Sequence, residues 1–475
     1  MNSIQAVSPL RPARPVFGGG GDRVQTHQQT TGRAIGAGMI GNVLEWYDFA
    51  IYGFFAVEIG RQFFSNESPI AQLLATFGIF AIGYLMRPIG GVLIGHVSDH
   101  FGRRTALVAS ITAMAVPTFL IGVLPAYETI GVLAPIGLTV LRMLQGLSLG
   151  GEYPSSMVFL IERAPEGRRG LMGSLASIGA VTGLLLGSSV GALLAAVMPA
   201  EALADWGWRL PFIAGLGIGL MGNLLRRHIA ETLPERKAER APIVETLREH
   251  WRLVARIAAA ASFNAVPFYL LFVFLVSSMQ IVDGFAPATA LKINSLSMAA
   301  LIPFNLLGAW LSDRYGRKPV MLTAAALGLV TAWPLFWLMN QPVPALVLSG
   351  QLAAAVFIGL FSAVMPALFV EATPAHVRCT AVALGYNLCL GILGGLTPFA
   401  ATLIVEKSGN HLAPAFLIMG AAAIAFVAVL TFKETYRMPL PGSVVDPRSS
   451  RKRERSRGQP ATAQRPAYAM ISGRS

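Results

Sequence analysis

Long apolar runs separated by short polar segments recur through most of this sequence, and they constrain its fold more than any other feature. Between residues 34 and 432 the runs reach about 20 residues, the length at which an α-helix crosses the hydrocarbon core of a bilayer. The chain is 54% hydrophobic and 13% charged, whereas soluble domains carry about 25% charged residues. The sequence therefore predicts a polytopic membrane protein rather than a soluble enzyme.

The same pattern predicts an all-α membrane protein with twelve transmembrane helices. An N-terminal six-helix bundle at 34–225 and a C-terminal bundle at 253–432 are predicted to be joined by a charged cytosolic linker at 226–252. Residues 1–33 and the basic segment 433–475 are predicted to be flexible cytosolic tails. The predicted helices cover residues 35–57, 70–97, 104–124, 129–160, 169–198, 207–225, 253–281, 288–311, 319–339, 343–371, 378–405 and 411–432.

The distribution of Lys and Arg predicts which side of the membrane each loop faces. With both tails set aside, 17 basic residues lie in segments on the side of the N-terminus and four lie on the opposite side. Cytosolic loops show this excess, so both termini are predicted to be cytosolic, in a bacterial inner membrane. The net charge of +13 follows from this topology, and no nucleic-acid partner is predicted. The partners that we expect are the lipid bilayer, protons and a small organic anion, and the protein is expected to be a monomer.

Two loops of nearly the same sequence indicate an internal duplication. The loops at 95–104 and 309–318 both contain Ser-Asp, one variable residue, an aromatic residue, Gly-Arg and a second basic residue, at an offset of 214 residues. This offset is close to half of the apolar region. It predicts two pseudo-symmetric six-helix bundles around a central site, as in many secondary carriers.

The paired loops resemble the signature loop of the major facilitator superfamily. Four further runs, at 41–49, 80–91, 142–153 and 385–398, are similar to the metabolite:proton symporter family. Members of that family carry tricarboxylates, 2-oxoglutarate, shikimate-like acids or zwitterionic osmolytes together with protons. The resemblance implies the major facilitator fold and transport by alternating access. The second loop departs from the pattern at Ala309, where Gly is usual, although Gly308 precedes it.

Five ionisable residues lie deep inside predicted helices, namely Glu45, Asp48, Arg87, Arg142 and Glu152. A charge at the bilayer centre costs about 2.5–3.5 kcal/mol, so each requires a partner or a water-filled cavity. Burial favours the neutral form of a carboxyl group, and the three acids outnumber the two bases. One of the three acids is therefore predicted to carry the coupled proton, and the two arginines to bind substrate carboxylates. The alternative is that all five form ion pairs that only fix helix packing.

Further site residues are predicted from the same runs and from the superfamily resemblance. The signature-loop acids can cap helix N-termini or pair with the basic residues beside them, and so close the cytosolic side. No cofactor and no metal site is predicted. The predicted substrate-binding residues are Tyr52, Tyr84, Arg87, Arg142, Gln145, Tyr153 and Asn387, and the predicted gating residues are Asp99, Arg103, Arg104, Asp313, Arg317 and Lys318.

The predicted function is proton-coupled uptake of a small organic acid, such as a di- or tricarboxylate or an aromatic acid. Three alternatives stay open: a proton-coupled proline or betaine symporter, a drug:proton antiporter, and a transport-inactive membrane sensor. Osmolyte uptake ranks below organic-acid uptake because residues 443–475 lack the heptad pattern that osmosensing relatives tend to carry. No arrangement of residues in the sequence indicates an enzyme.

Overall fold

The structure is a computed structural model, and it describes residues 41–65, 67–101, 103–226 and 242–441. Within these ranges the regular structure is helical throughout. The spans are, in order, span 1 at 41–63, span 2 at Pro69–Leu85 and Arg87–Phe101, span 3 at Arg103–Val123, span 4 at Leu133–Ser148 and Glu152–Glu162, span 5 at Arg169–Val197, span 6 at Arg209–Arg226, span 7 at Trp251–Tyr269, Leu270–Phe274 and Leu275–Ile281, span 8 at Pro287–Tyr315, span 9 at Arg317–Met339, span 10 at Pro344–Glu371, span 11 at Arg378–Cys389, Leu390–Gly394 and Gly395–Ser408, and span 12 at Ala415–Thr431.

These spans confirm the predicted twelve-helix fold. In the described part of the chain, eight helices are long and apolar enough to cross a bilayer, and three shorter apolar helices, in spans 3, 6 and 12, accompany them. Proline begins spans 2, 8 and 10, at Pro69, Pro287 and Pro344, because the first turn of a helix does not need its backbone N–H. Gly316, with φ 112°, separates spans 8 and 9 at a conformation that favours glycine.

Spans 2 and 4, which the sequence predicts as continuous helices, are interrupted, and span 1 has a turn at Phe55. Span 2 breaks at Met86, just before Pro88, because proline cannot donate the hydrogen bond that would continue the helix. Span 4 breaks between Leu149 and Gly151, where two adjacent glycines weaken the helix. Both breaks lie beside residues predicted to form the site.

Spans 7 and 11 each contain one π-helical turn, at Leu270–Phe274 and Leu390–Gly394. A π turn inserts an extra residue and rotates the side chains that follow it, and such turns are frequent at functional sites. Both turns lie in the C-terminal half. They change which side chains the two helices direct towards the centre of the bundle.

The two halves meet along several helix pairs. Span 5 packs against spans 8 and 10, span 2 packs against span 11, and the second helix of span 4 packs against spans 10 and 11. The helix Pro242–Glu249 precedes span 7 and packs against the turn Ala375–Val377. The predicted linker at 226–252 is therefore helical over its described part, whereas the predicted tail 1–33 and most of the tail 433–475 lie outside the described residues.

Candidate functional site

A cavity of about 40 Å³ lies between the two halves, with room for a few water molecules. Spans 1, 4 and 5 line it from the N-terminal half and spans 7, 8, 10 and 11 from the C-terminal half. Aromatic rings make up much of the wall, and among the described residues that line it none is charged. The aromatic and polar lining residues are Trp46, Tyr153, Ser177, Asn264, Phe268, Tyr269, Ser362 and Tyr386.

Tyrosines connect the two halves across this cavity. The hydroxyls of Tyr84 and Tyr269 are 2.5 Å apart, and the ring centroids of Tyr153 and Tyr386 are 5.1 Å apart. The Ser177 hydroxyl also donates a hydrogen bond to the backbone carbonyl of Ser362 at 2.9 Å, across the halves. The central cavity is thus enclosed by residues that can separate only if the two halves move.

Arg87 lies beside this cavity and is fully buried. Its guanidinium carbon is 5.5 Å from the centroid of the Trp46 ring, which lines the cavity. Its Nε donates to Oδ1 of Asn387 at 3.3 Å, and Asn387 donates to the carbonyl of Gly150 at 2.5 Å. Within the described residues, Nη1 and Nη2 of Arg87 have no hydrogen-bond acceptor. Arg87 therefore has two charged donors available beside the cavity.

Arg142 occupies a different environment, although it lies at a similar predicted depth. Its guanidinium carbon is 4.1 Å from the ring centroid of Phe49 and 4.2 Å from that of Tyr52. Its Nη1 donates to Gln145 at 2.7 Å, and Gln145 in turn donates to Thr118 at 2.7 Å. Arg142 is held inside the N-terminal half by aromatic rings and an amide, and it does not line the central cavity.

The three candidate carboxylates line a second, smaller cavity of about 20 Å³ in the N-terminal half. Spans 1, 3, 4 and 6 form it, with Glu45, Asp48 and Glu152 among the lining residues. Glu45 is 7% exposed and Asp48 is 3% exposed, and Oδ1 of Asp48 has no hydrogen-bond partner within the described part of the chain. The structure thus gathers the three acids, but away from the central cavity beside which Arg87 lies.

At the predicted cytosolic end, the predicted gating residue Asp313 connects the two halves. Asp313 accepts hydrogen bonds from the backbone N–H groups of Gly170 and Leu171, at 2.8 and 2.9 Å, at the start of span 5. It also pairs with Arg317 at 2.7 Å. Lys318 instead donates to the carbonyl of Leu430. The side chains of the other predicted gating residues, Asp99, Arg103 and Arg104, lie outside the described part of the structure.

Several residues of the cavity wall and of the polar contacts at the predicted cytosolic end were not predicted from the sequence. Glu371, at the end of span 10, accepts two hydrogen bonds from Arg317, at 3.0 and 3.1 Å. Arg378 forms an ion pair with Glu162 of the other half at 2.6 Å. A charged residue at the end of a long apolar run, such as Glu371, is a signal that could have been used. Tyr153 was predicted, but Trp46, Phe268, Tyr269 and Tyr386 give no such signal, because aromatic residues are ordinary within apolar helices.

Two helical halves that enclose a buried cavity in an apolar bundle define a multi-pass membrane transporter rather than an enzyme. The chain is 33% identical to the proline/betaine transporter of Escherichia coli strain K12, over 86% of this chain and 85% of that protein. It is 36% identical to the ectoine/proline transporter ProP of Corynebacterium glutamicum, with the same coverage. The chain therefore belongs to the major facilitator superfamily, in the predicted family of metabolite:proton symporters.

Family profiles and solved structures agree with this assignment. The profile described as "Sugar (and other) transporter" matches residues 34–240, and that of the major facilitator superfamily matches residues 284–471. The structure is similar to the proton:xylose symporter XylE bound to 6-bromo-6-deoxy-D-glucose, with a TM-score of 0.68 and 18% identity. The match covers 86% of this chain and 97% of that chain. At this identity the likeness shows the fold alone.

The predicted uptake of a small organic acid is wrong, because these relatives are named transporters of proline, betaine or ectoine. Charged residues inside a helix indicate that a charged group binds. They do not show whether that group belongs to an anion or to a zwitterion, since a guanidinium binds the carboxylate of either. The predicted organic-anion partner is wrong for the same reason.

Proposed function

We propose that this protein takes up a zwitterionic osmolyte of the proline or betaine type together with protons, by alternating access of the central cavity to the two sides of the membrane. Its similarity to transporters named for proline, betaine and ectoine supports this substrate class. Both termini are proposed to be cytosolic, from the distribution of Lys and Arg.

The observation that carries the proposal is the pairing of one guanidinium with an aromatic-lined cavity. A zwitterion presents one carboxylate and one cationic nitrogen a short distance apart. The free Nη donors of Arg87 suit the carboxylate, and the aromatic rings of Trp46, Tyr153, Tyr269 and Tyr386 suit a quaternary or secondary ammonium group through cation–π attraction. A tricarboxylate would require several cations, and no charged residue lines this cavity among the residues described there.

Proton coupling is proposed to reside in the neighbouring carboxylate cavity. Span 1 contributes to both sites, because Trp46 lines the central cavity while Glu45 and Asp48 line the carboxylate cavity. A change in the protonation of one acid can therefore shift the helix that also contacts the substrate. Arg142, packed between rings, is proposed to fix the position of span 1 rather than to bind substrate.

The proposal is tested by uptake into proteoliposomes under an imposed pH gradient, with the external solution more acidic than the interior. We expect labelled proline or glycine betaine to accumulate and the accumulation to collapse with a protonophore. Citrate and shikimate serve as competing candidates. Accumulation of an organic acid without any zwitterion, or no uptake of either class, would contradict the proposal.

Two Trp variants test whether the aromatic wall of the central cavity binds the substrate cation. Trp46→Leu is expected to weaken betaine binding by about 2- to 30-fold, the range of a cation–π contact. Trp206→Leu removes a Trp that is 52% exposed and should leave binding unchanged. Equal affinities in the two variants would show that the Trp46 ring does not contact the cation.

A further inference from the structure

Three side chains with metal-binding atoms meet at the predicted cytosolic surface. Glu245 and His250 come from the helix Pro242–Glu249 and the residue that follows it, and His376 comes from the turn Ala375–Val377. One ligand atom from each of the three lies within 4.8 Å of the others. Oε1 of Glu245 is 3.3 Å from Nε2 of His376, and the two imidazole centroids are 5.8 Å apart.

We propose that these three residues form a binding site for a divalent transition-metal ion such as Zn²⁺. One carboxylate and two imidazoles are a donor set that Zn²⁺ accepts, with a fourth position for water. The site lies where an ion can reach it, because Glu245 and His250 are half-buried and His376 is exposed. The sequence carries no spacing signature for it, because Glu245 and His376 are 131 positions apart.

The position of the site determines what a bound ion would do. The site joins the helix before span 7 to the turn before span 11. Two residues beyond His376, Arg378 bonds both Glu162 of the N-terminal half and the carbonyl of Pro441, each at 2.6 Å. A bound ion would hold this turn, and with it the contact between the halves, in the arrangement seen here. Metal binding should therefore slow transport by restricting the movement of this turn when the cytosolic end opens.

Binding is tested first, without any transport assay. Zn²⁺ is titrated by calorimetry into the purified full-length protein, with any histidine tag removed. We expect one ion per chain, and an affinity lowered roughly 10- to 100-fold in His250→Ala and His376→Ala, since even a lost outer-shell partner typically has that effect. His411→Ala removes an exposed histidine from a different loop and is the matched control. Wild-type affinity in both site variants, or no binding to the wild type, would overturn the site.

The consequence for transport rests on the proposed function and is measured separately, in proteoliposomes with Zn²⁺ on both sides. Zn²⁺ at a concentration that saturates the calorimetric site should slow uptake by the wild type and by His411→Ala, but not by His376→Ala. Binding without any slowing would overturn the closing role. A failure of uptake without metal would instead count against the transport proposal and leave the calorimetric result standing.

Discussion

At the scale of single residues, two arginines show how surroundings decide what a buried charge can do. Arg142 lies between two aromatic rings and donates to Gln145. Arg87 donates through Nε to Asn387. Each guanidinium has two nitrogens without an acceptor in the described residues, Nη1 and Nη2 in Arg87 and Nε and Nη2 in Arg142, and a buried donor without an acceptor is costly. Arg87 is the more suitable of the two to bind a carboxylate because it contacts Trp46 of the central cavity wall, whereas the rings beside Arg142 do not line that cavity.

Replacing Arg87 tests this difference directly. Arg87→Gln is expected to weaken proline binding by about 10- to 100-fold, because a hydrogen bond to a charged group contributes about 1.5–3 kcal/mol. Binding is measured by calorimetry on the purified protein, with a thermal unfolding scan to show that the fold is kept. Arg61→Gln, at an exposed position, is the control. Unchanged affinity in a folded Arg87→Gln protein would remove Arg87 from the site.

The carboxylate cavity yields a separate prediction. Asp48→Asn removes a titratable group with a buried oxygen that has no partner in the described chain. We expect exchange of labelled for unlabelled substrate to continue while pH-driven accumulation is lost, because exchange needs no net proton movement. Glu45→Gln and Glu152→Gln are measured in parallel, and Glu67→Gln, at an exposed position, is the control. If all three cavity variants accumulate substrate like the wild type, these acids do not carry the proton.

At the scale of elements, glycines allow spans 2 and 4 to approach backbone to backbone. A Cβ atom at Gly146 would overlap the carbonyl oxygen of Gly83, and one at Gly90 would overlap that of Leu147. A backbone carbonyl in a helix cannot rotate away as a flexible side chain can. This close packing places Arg87 and Arg142, on the same two spans, at their observed positions.

Gly146→Ala therefore should destabilise the bundle. We expect a loss of about 1–3 kcal/mol, the usual cost of overpacking, seen as a lower unfolding temperature in detergent. Gly217→Ala is the matched control, because a Cβ atom there meets nothing within 4 Å. Its unfolding temperature should stay the same or rise slightly, since Ala favours helix more than Gly does. Equal behaviour of the two variants would contradict the packing argument.

At the scale of the whole molecule, the two halves are held together at the predicted cytosolic end by contacts of unequal strength. Asp313 is 12% exposed and accepts two backbone hydrogen bonds at the start of span 5, where the helix dipole favours a negative charge. In the ion pair between Glu162 and Arg378, the Arg378 side chain is 4% exposed but Glu162 is 46% exposed, so water screens the carboxylate and weakens the pair. Asp313 should therefore contribute more to closure than Glu162.

Asp313→Ala is expected to open this end of the molecule. The measurement is the labelling rate of a cysteine placed in the central cavity, Ser362→Cys, in a protein whose two native cysteines are replaced by serine. Loss of hydrogen bonds to a charged group, each about 1.5–3 kcal/mol, should raise the rate tenfold or more. Glu162→Gln should raise it much less. Equal rates in the two variants would show that Asp313 does not hold the halves together.

The sequence alone determined the fold of this protein. Apolar runs of membrane-spanning length must form helices, because a backbone in lipid has to satisfy its own hydrogen bonds. The duplicated loop then indicated two halves. These are local properties of the chain, and they can be read from consecutive residues.

Only the tertiary structure decided which residues share a cavity. In the sequence, Arg87 and Arg142 are both single basic residues deep inside predicted helices. The breaks in spans 2 and 4 and the π turns in spans 7 and 11 determine which side chains meet. Trp46, Tyr269 and Tyr386 come together from three spans, and Glu245 meets His376 from two distant segments. Such neighbours depend on how helices rotate and pack against one another, and the hydropathy of a single run contains no information about that rotation.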